Sequence, residues 1–275
     1  VVVDGKPIYY DKIILAIGNA ARDTFKNLIS DGLHLNAKPF AIGFRIEHLQ
    51  TFVDKSQFKD YAGHPRLFKG EYSLACDGVY SFCMCPGGIV VPSSSEPNHL
   101  CVNGMSYHNR GLRNANSAIV TTINDYTKAL DSIAFQEEIE KRAFELGGKD
   151  YTAPAIHVHD FLDKSEAKTL KEVLPSYPLG VRYVKIDEIY GDKIADKLRQ
   201  GLLAMNNKMH GFLDDAILTA VESKTSSPVN IERNEEFMTN IKNLYACGEG
   251  AGYAGGIVSA GLDGLKCAEK ILEVL

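Results

Sequence analysis

Apolar residues in this chain come as short runs that stop at glycine and as stripes with helical spacing, and both kinds recur along its length. Val1 to Tyr10 reads as a hairpin, with Asp4-Gly5 as the turn between two β-rich arms. Ile13-Ile-Leu-Ala-Ile has the character of a buried strand stopped by Gly18, and Asn19 to Ile29 follows as a helix. Phe40 to Leu49 sets Phe44, Ile46 and His48 against Arg45 and Glu47, the alternation of a half-buried strand. Gln50 to Lys69 is more polar and predicts a short helix and a loop. Tyr72 to Tyr107 is turn-rich and β-prone, with strands at Gly88-Ile-Val-Val and Leu100-Cys-Val-Asn; Ala118 to Ile123 adds another.

Helical spacing returns at Phe135, Ile139, Ala143 and Leu146 and ends at Gly147-Gly148. A loop with Pro154, Pro175 and Pro178 leads to a second helix marked by Ile194, Leu198, Leu202, Met205 and Met209. Lys224 to Arg233 reads as a turn and a strand. A buried strand at Leu244 to Cys247 then enters a glycine-dense elbow. A helix starting near Ile257 leaves it, with apolar residues at Val258, Leu262, Leu265, Ala268, Leu272 and Leu275.

Mixed α/β architecture with a discontinuous domain follows from this order. Residues 1–38 and 222–275 bring two distant strand-glycine units together. Residues 39–221 form an inserted body, β-rich over 39–124 and mostly helical over 125–215.

The elbow is the first candidate for chemistry. Five glycines fall between Gly248 and Gly256, more than a bare turn requires, and they remove Cβ atoms where a ligand would approach the backbone. The helix that follows offers N–H groups and a positive dipole end to an anionic or electron-rich ligand. Gly250-x-Gly252-x-x-Gly255 matches a dinucleotide fingerprint, but that fingerprint needs a complete βαβ unit with an acidic residue about 20 positions later. These glycines therefore serve a site completed from elsewhere.

Composition narrows the function classes. With 45% hydrophobic and 24% charged residues and a net charge of -5, the chain has the make-up of a globular protein and not of a nucleic-acid surface. No apolar run reaches the roughly 20 residues of a membrane helix. Six cysteines in 275 residues are too few for a disulfide scaffold and fit a reducing cytoplasm. The chain opens on Val1-Val-Val, and a fragment lacking an upstream part is the expectation.

Three further groups are candidates. Cys83 and Cys85, before Pro86-Gly-Gly, read as strand packing, as redox-active or substrate-side thiols, or as half a metal site. His108 and Arg110 either bind an anionic substrate and supply a proton, or sit solvated on a loop. His157 and His159 alternate in a β-like run, which puts both on one face, and without a nearby carboxylate at ligand spacing a solvent face is favoured over a metal site. The Ser226-Ser227 pair before Pro228 suits a hydroxyl contact to a bound ligand, a turn or a helix cap.

Gly248-Glu-Gly-Ala-Gly-Tyr-Ala-Gly-Gly-Ile, Phe82-Cys-Met-Cys-Pro-Gly-Gly, Asn103-Gly-Met-Ser-Tyr, Asn114-Ala-Asn-Ser-Ala and Thr225-Ser-Ser-Pro-Val together resemble the bacterial FAD-dependent (NAD(FAD)-utilising) dehydrogenases of unassigned substrate. The resemblance covers essentially the whole chain. It implies the C-terminal portion of a flavoprotein whose Gly-rich βαβ unit lies upstream, with 1–38 and 222–275 as a partial, Rossmann-like FAD-binding domain and 39–221 as the substrate domain. It implies Gly248 and Glu249 along the pyrophosphate and ribityl of FAD. It also places Gly250 in the turn, and Gly255, Gly256 and Ile257 at the flavin N1 and C2 carbonyl.

Ile14-Leu-Ala-Ile-Gly corresponds to a family strand that passes the nucleotide at Gly18, with Ile17 where threonine is usual. The expected activity is hydride transfer between a small-molecule substrate and flavin N5, with Cys83, Cys85, His108 and Arg110 as candidate catalytic groups. Weak or absent FAD binding by this chain alone is expected. An RNA-modifying flavoprotein and a non-catalytic nucleotide-binding module are the rival functions.

Overall fold

The computed structural model describes residues 1–166 and 172–273. The chain starts with a short hairpin, β1 (Val2–Val3) and β2 (Lys6–Pro7), followed by β3 (Ile13–Leu15), α1 (Arg22–Ser30) and β4 (Leu35–Ala37). Next come β5 (Phe40–Leu49), α2 (Gln50–Phe58), β6 (Ala75–Cys76), β7 (Val79–Cys85), β8 (Gly88–Pro92), β9 (Val102–Ser106) and β10 (Asn114–Ile123). They lead to α3 (Ala129–Gly147), β11 (Ala153–His157), α4 (Val158–Leu162), β12 (Val181–Tyr183), α5 (Asp187–Tyr190), α6 (Asp192–Lys208) and β13 (Ile217–Glu222). The chain closes on β14 (Val229–Ile231), β15 (Leu244–Ala246) and α7 (Ile257–Leu272). Leu275, expected to extend the stripe of α7, lies outside the described residues.

Two compact units result. Unit one holds residues 1–40, 123–135 and 224–275, and unit two holds 41–122 and 136–223. Unit one is small-stranded: β15 pairs in parallel with β3, and β14 pairs antiparallel with β4. Its core gathers Phe25, Leu33, Ile133, Val229, Ile231 and Leu244, with Ile13, Leu15 and Ile17 packed alongside. β3 is less buried than its sequence predicts, since Ile14 is 46% exposed.

Unit two is organised on a seven-stranded sheet in the order β12-β11-β13-β5-β10-β7-β6. Only β11 and β12 are parallel among its described pairings, while β11–β13, β13–β5, β10–β7 and β7–β6 are antiparallel. β8 and β9 form a separate antiparallel ribbon. The stretch 125–215, expected to be mostly helical, therefore contributes two sheet strands, and Pro154 stands inside β11 and not in a loop. Proline fits there because the pairing of β11 with β13 begins only at Ala155, so the missing Pro154 N–H removes no ladder bond.

β5 overturns the half-buried expectation. It lies between β13 and β10, and every residue from Phe40 to His48 is buried. On one face Phe44 meets the rings of Phe161 and Tyr190, at 5.5 and 6.3 Å between centroids. On the other, Arg45 is covered in turn: its Nε donates to Glu222 at 2.5 Å, Nη1 to the Cys83 carbonyl at 2.7 Å, and Nη2 to Asn103 Oδ1 at 2.5 Å. Gly104 makes room for this guanidinium, because a Cβ there would lie 2.7 Å from Arg45 Nη1. Polar residues at period two thus mark a second buried layer held by hydrogen bonds, a solution that satisfies buried charge without solvent.

Glu47 follows the same rule, accepting hydrogen bonds from Asn114 Nδ2 at 2.8 Å and from the Ser176 N–H at 3.0 Å. Among the described residues no helix is long and apolar enough to cross a membrane.

Candidate functional site

The elbow is built in unit one from two strand ends laid side by side. Leu244 pairs with Ile13 and Ala246 with Leu15, so the parallel strands β15 and β3 run out at the same edge, into Gly248 and Gly18. Both glycines adopt positive φ, +80° and +71°, which a side chain would strain. The two turns touch: a Cβ on Gly250 would lie 2.4 Å from the Gly18 carbonyl oxygen. Gly255 and Gly256 differ in kind. A Cβ on Gly255 would meet nothing within 4 Å, and one on Gly256 only Ser259 Oγ at 3.9 Å. These two leave open space beside the backbone at the start of α7.

The first turn of α7 carries N–H groups at Ile257, Val258 and Ser259 that have no helical acceptor. Its outer face is apolar and uncovered, with Ile257 94% and Val258 76% exposed, and Leu262, Leu265 and Leu272 exposed below them. The stripe that the sequence predicts is therefore present but turned outward. The buried face uses Cys267 and Ile271.

Polar groups converge on the elbow. Asn19 Nδ2 donates to Glu249 Oε1 at 3.2 Å and to the Lys224 carbonyl at 3.1 Å, while Asn19 Oδ1 is buried with no protein donor. Lys38 Nζ donates to the Gly252 carbonyl at 2.6 Å, and burial holds its ammonium below the usual lysine range against the opposing pull of the Glu249 carboxylate. Glu249 keeps a second carboxylate oxygen for another donor.

The Gly248 N–H is not bare, because it donates to Asp263 Oδ2 at 2.7 Å. Asp263 is held in turn by a two-pronged pair with Arg233, both contacts at 2.8 Å, and Arg233 lies against the rings of Tyr253 and Phe237. Burial alone raises the Asp263 pKa, but the hydrogen bonds from Arg233 and Gly248 outweigh it and hold the carboxylate below its ordinary range. Asn19, Lys38, Arg233 and Asp263 were not singled out in the sequence. The available signal was Asp263 itself, the first charged residue of α7 after an opening turn and a half without charge.

Other sequence candidates lie in unit two. Cys83 sits exposed at a β-bulge with φ of +42°, where the β7–β10 register shifts between Asn116 and Ala118. Cys85 Sγ donates to the Cys83 carbonyl at 3.3 Å, and burial raises its pKa despite nearby Arg45, so the thiol stays protonated at neutral pH. His108 and Arg110 do come together, lining one groove.

His157 and His159 separate. His157 is buried at the end of β11 beside the Tyr183 ring at 5.7 Å, and only His159, on α4, faces solvent. The shared solvent face fails because the chain turns into a helix between them. Ser227 forms a local turn, its Oγ donating to the Val229 carbonyl at 2.9 Å.

Residues 39–225 match the family model described as FAD-dependent protein, C-terminal domain-like. The chain belongs to this family. A relative in Clostridium beijerinckii (strain ATCC 51743 / NCIMB 8052), named only as an uncharacterized protein, is 43% identical over 285 residues. That alignment takes in 99% of this chain and 54% of the relative, so the chain spans about half the relative's length. The FAD-dependent family match covers the middle of the sequence, and the relative's likeness extends beyond it on both sides and takes in the elbow.

Proposed function

We propose that this chain is part of a cytoplasmic FAD-dependent oxidoreductase, in which unit one supplies the flavin-side half of a shared, Rossmann-like cofactor site and unit two serves the substrate. The observation that carries this reading is the elbow: paired parallel strands ending in touching glycine turns, open space at Gly255 and Gly256, and unpartnered N–H groups at the start of α7. The buried, unpartnered Asn19 Oδ1 supports it, as an acceptor waiting for a donor from outside the chain.

Bound FAD would supply a two-electron acceptor for hydride from a small-molecule substrate. Glu249 uses its second oxygen to accept a hydroxyl hydrogen bond, while Asn19 fixes the first. Gly18, Gly248 and Gly250 let the backbone come close, and Asp263 sets the Gly248 peptide. Gly255, Gly256 and Ile257 would hold the ring edge, where the positive end of α7 would favour negative charge by about 1 kcal/mol. Cys83, Cys85, His108 and Arg110 remain substrate-side candidates in this reading.

Purified relative from Clostridium beijerinckii should show a visible flavin band that a reductant bleaches; a protein with no flavin sinks the proposal. This chain alone should bind FAD more weakly than micromolar. At millimolar FAD, amide NMR signals of Gly18, Gly248, Gly255 and Gly256 should move together. Shifts confined to unit two would count against the elbow.

A further inference from the structure

A groove of about 700 Å³ in unit two is lined by Asp54, His64, Phe68, Lys69, His108 and Arg110. An adjoining apolar hollow of about 440 Å³ shares His64 and Leu67 with it and continues to Phe58 and Tyr61. Phe68 is 85% exposed, and Tyr61 and Leu67 are exposed beside it. A row of large apolar side chains bordered by cations is an uncommon surface for a folded chain.

The walls are built, not draped. Gln50, buried at the start of α2, ties three segments together: its N–H donates to the Arg113 carbonyl at 2.9 Å, its Oε1 accepts from Gly87 at 2.6 Å, and its Nε2 donates to Asp54 at 2.8 Å and to the Gly70 carbonyl at 3.0 Å. Gly70 N–H also reaches Asp54 Oδ1, at 2.7 Å. Gly87 has no room for a Cβ, which would stand 1.9 Å from the Arg110 carbonyl oxygen, and Arg110 itself is held at φ of +49°. The loop that carries His108 and Arg110 is thereby fixed against α2.

Both cations of the groove hold only loose or exposed carboxylate partners, which an anionic ligand can displace. Asp54 spends Oδ1 on two internal donors, leaving Lys69 Nζ a loose partner at 3.5 Å. Arg110 offers only Nη1 to Glu71, at 2.5 Å, in a pair exposed on both sides. Such pairs contribute little and exchange readily, and a guanidinium has five donors in a fork suited to a carboxylate. We propose that this groove binds a small organic carboxylate with an aromatic or similarly flat apolar body, its carboxylate on Arg110 and Lys69 and its body along Phe68 and Leu67. The inference rests on the substrate-side role proposed for His108 and Arg110 and names the class of ligand they take, but its observations and its test lie in unit two and need no flavin.

The probe is 2-naphthoate, titrated into the chain while the imidazole C–H NMR signals of His64 and His108 are followed. Saturable shifts at both histidines are expected, with binding weakened about tenfold or more by Arg110→Gln, by Lys69→Gln and by replacing the probe with neutral 2-naphthylmethanol. Phe68→Ala should weaken the naphthoate without abolishing its charge preference. Retained dispersion of the remaining histidine signals shows that each variant is folded. No saturable shift at His64 and His108, equal affinity for the neutral alcohol, or unchanged binding in Arg110→Gln overturns the proposal.

Discussion

Glu222→Ala is expected to destabilise unit two by about 3 to 5 kcal/mol, read as a fall in the urea midpoint. Arg45 is fully buried and Glu222 nearly so, and the carboxylate accepts from both Nε and Nη2 of the guanidinium. Removing it strands a cation among Asn103, Asn116 and the Cys83 carbonyl, none of which carries charge. The double replacement Arg45→Met, Glu222→Leu should cost much less than the two single losses summed, since a buried ion pair is worth little beyond an apolar pair of equal volume. A loss below about 1 kcal/mol for Glu222→Ala, the range of exposed pairs, would show that water reaches the site.

Lowering the pH from 7 to 4 is expected to remove about 3 kcal/mol of stability through His48 alone. Burial pushes its pKa down to about 4, against weaker upward pulls from the Phe212 carbonyl and from Asp215. In the unfolded chain the ring titrates near 6.5. The unfolded state therefore binds more protons between pH 6.5 and 4, and stability rises with pH across that window and is complete above it.

The geometry gives the cause: Nε2 donates to the Phe212 carbonyl at 2.8 Å, while Nδ1 is buried with no partner, enclosed by Phe52, Tyr72 and Phe212. A second proton would have no acceptor. His48→Phe isolates this contribution, because other titrating groups are common to both proteins. The stability difference between wild type and variant should change by about 3 kcal/mol over the window; a flat difference would mean that the ring is hydrated.

Much of the fold was legible because local signals governed it. The Asp4-Gly5 hairpin, the strand at Leu244, the glycine end of α3 and the start of α7 at Ile257 all depend on neighbours within a few residues. β5 and α7 defeated the same reasoning in opposite directions. Arg45 and Glu47 looked like a wet face, but their partners Glu222, Asn103 and Ser176 lie 58 to 177 residues away and no periodicity announces them. The apolar stripe of α7 looked like a core face and is exposed among the described residues. At the elbow the glycines were visible from spacing, and Arg233 and Asp263 were not, because a salt bridge across 30 residues leaves no pattern.

That salt bridge has a mechanical consequence. Asp263 stands on α7, two turns from its start, and its carboxylate holds the peptide proton that follows β15. Loosening the helix and releasing the Gly248 turn are therefore one event, not two. A force applied to the far end of α7 reaches the glycine elbow at two points, at Gly256 through the backbone and at Gly248 through the Asp263 carboxylate.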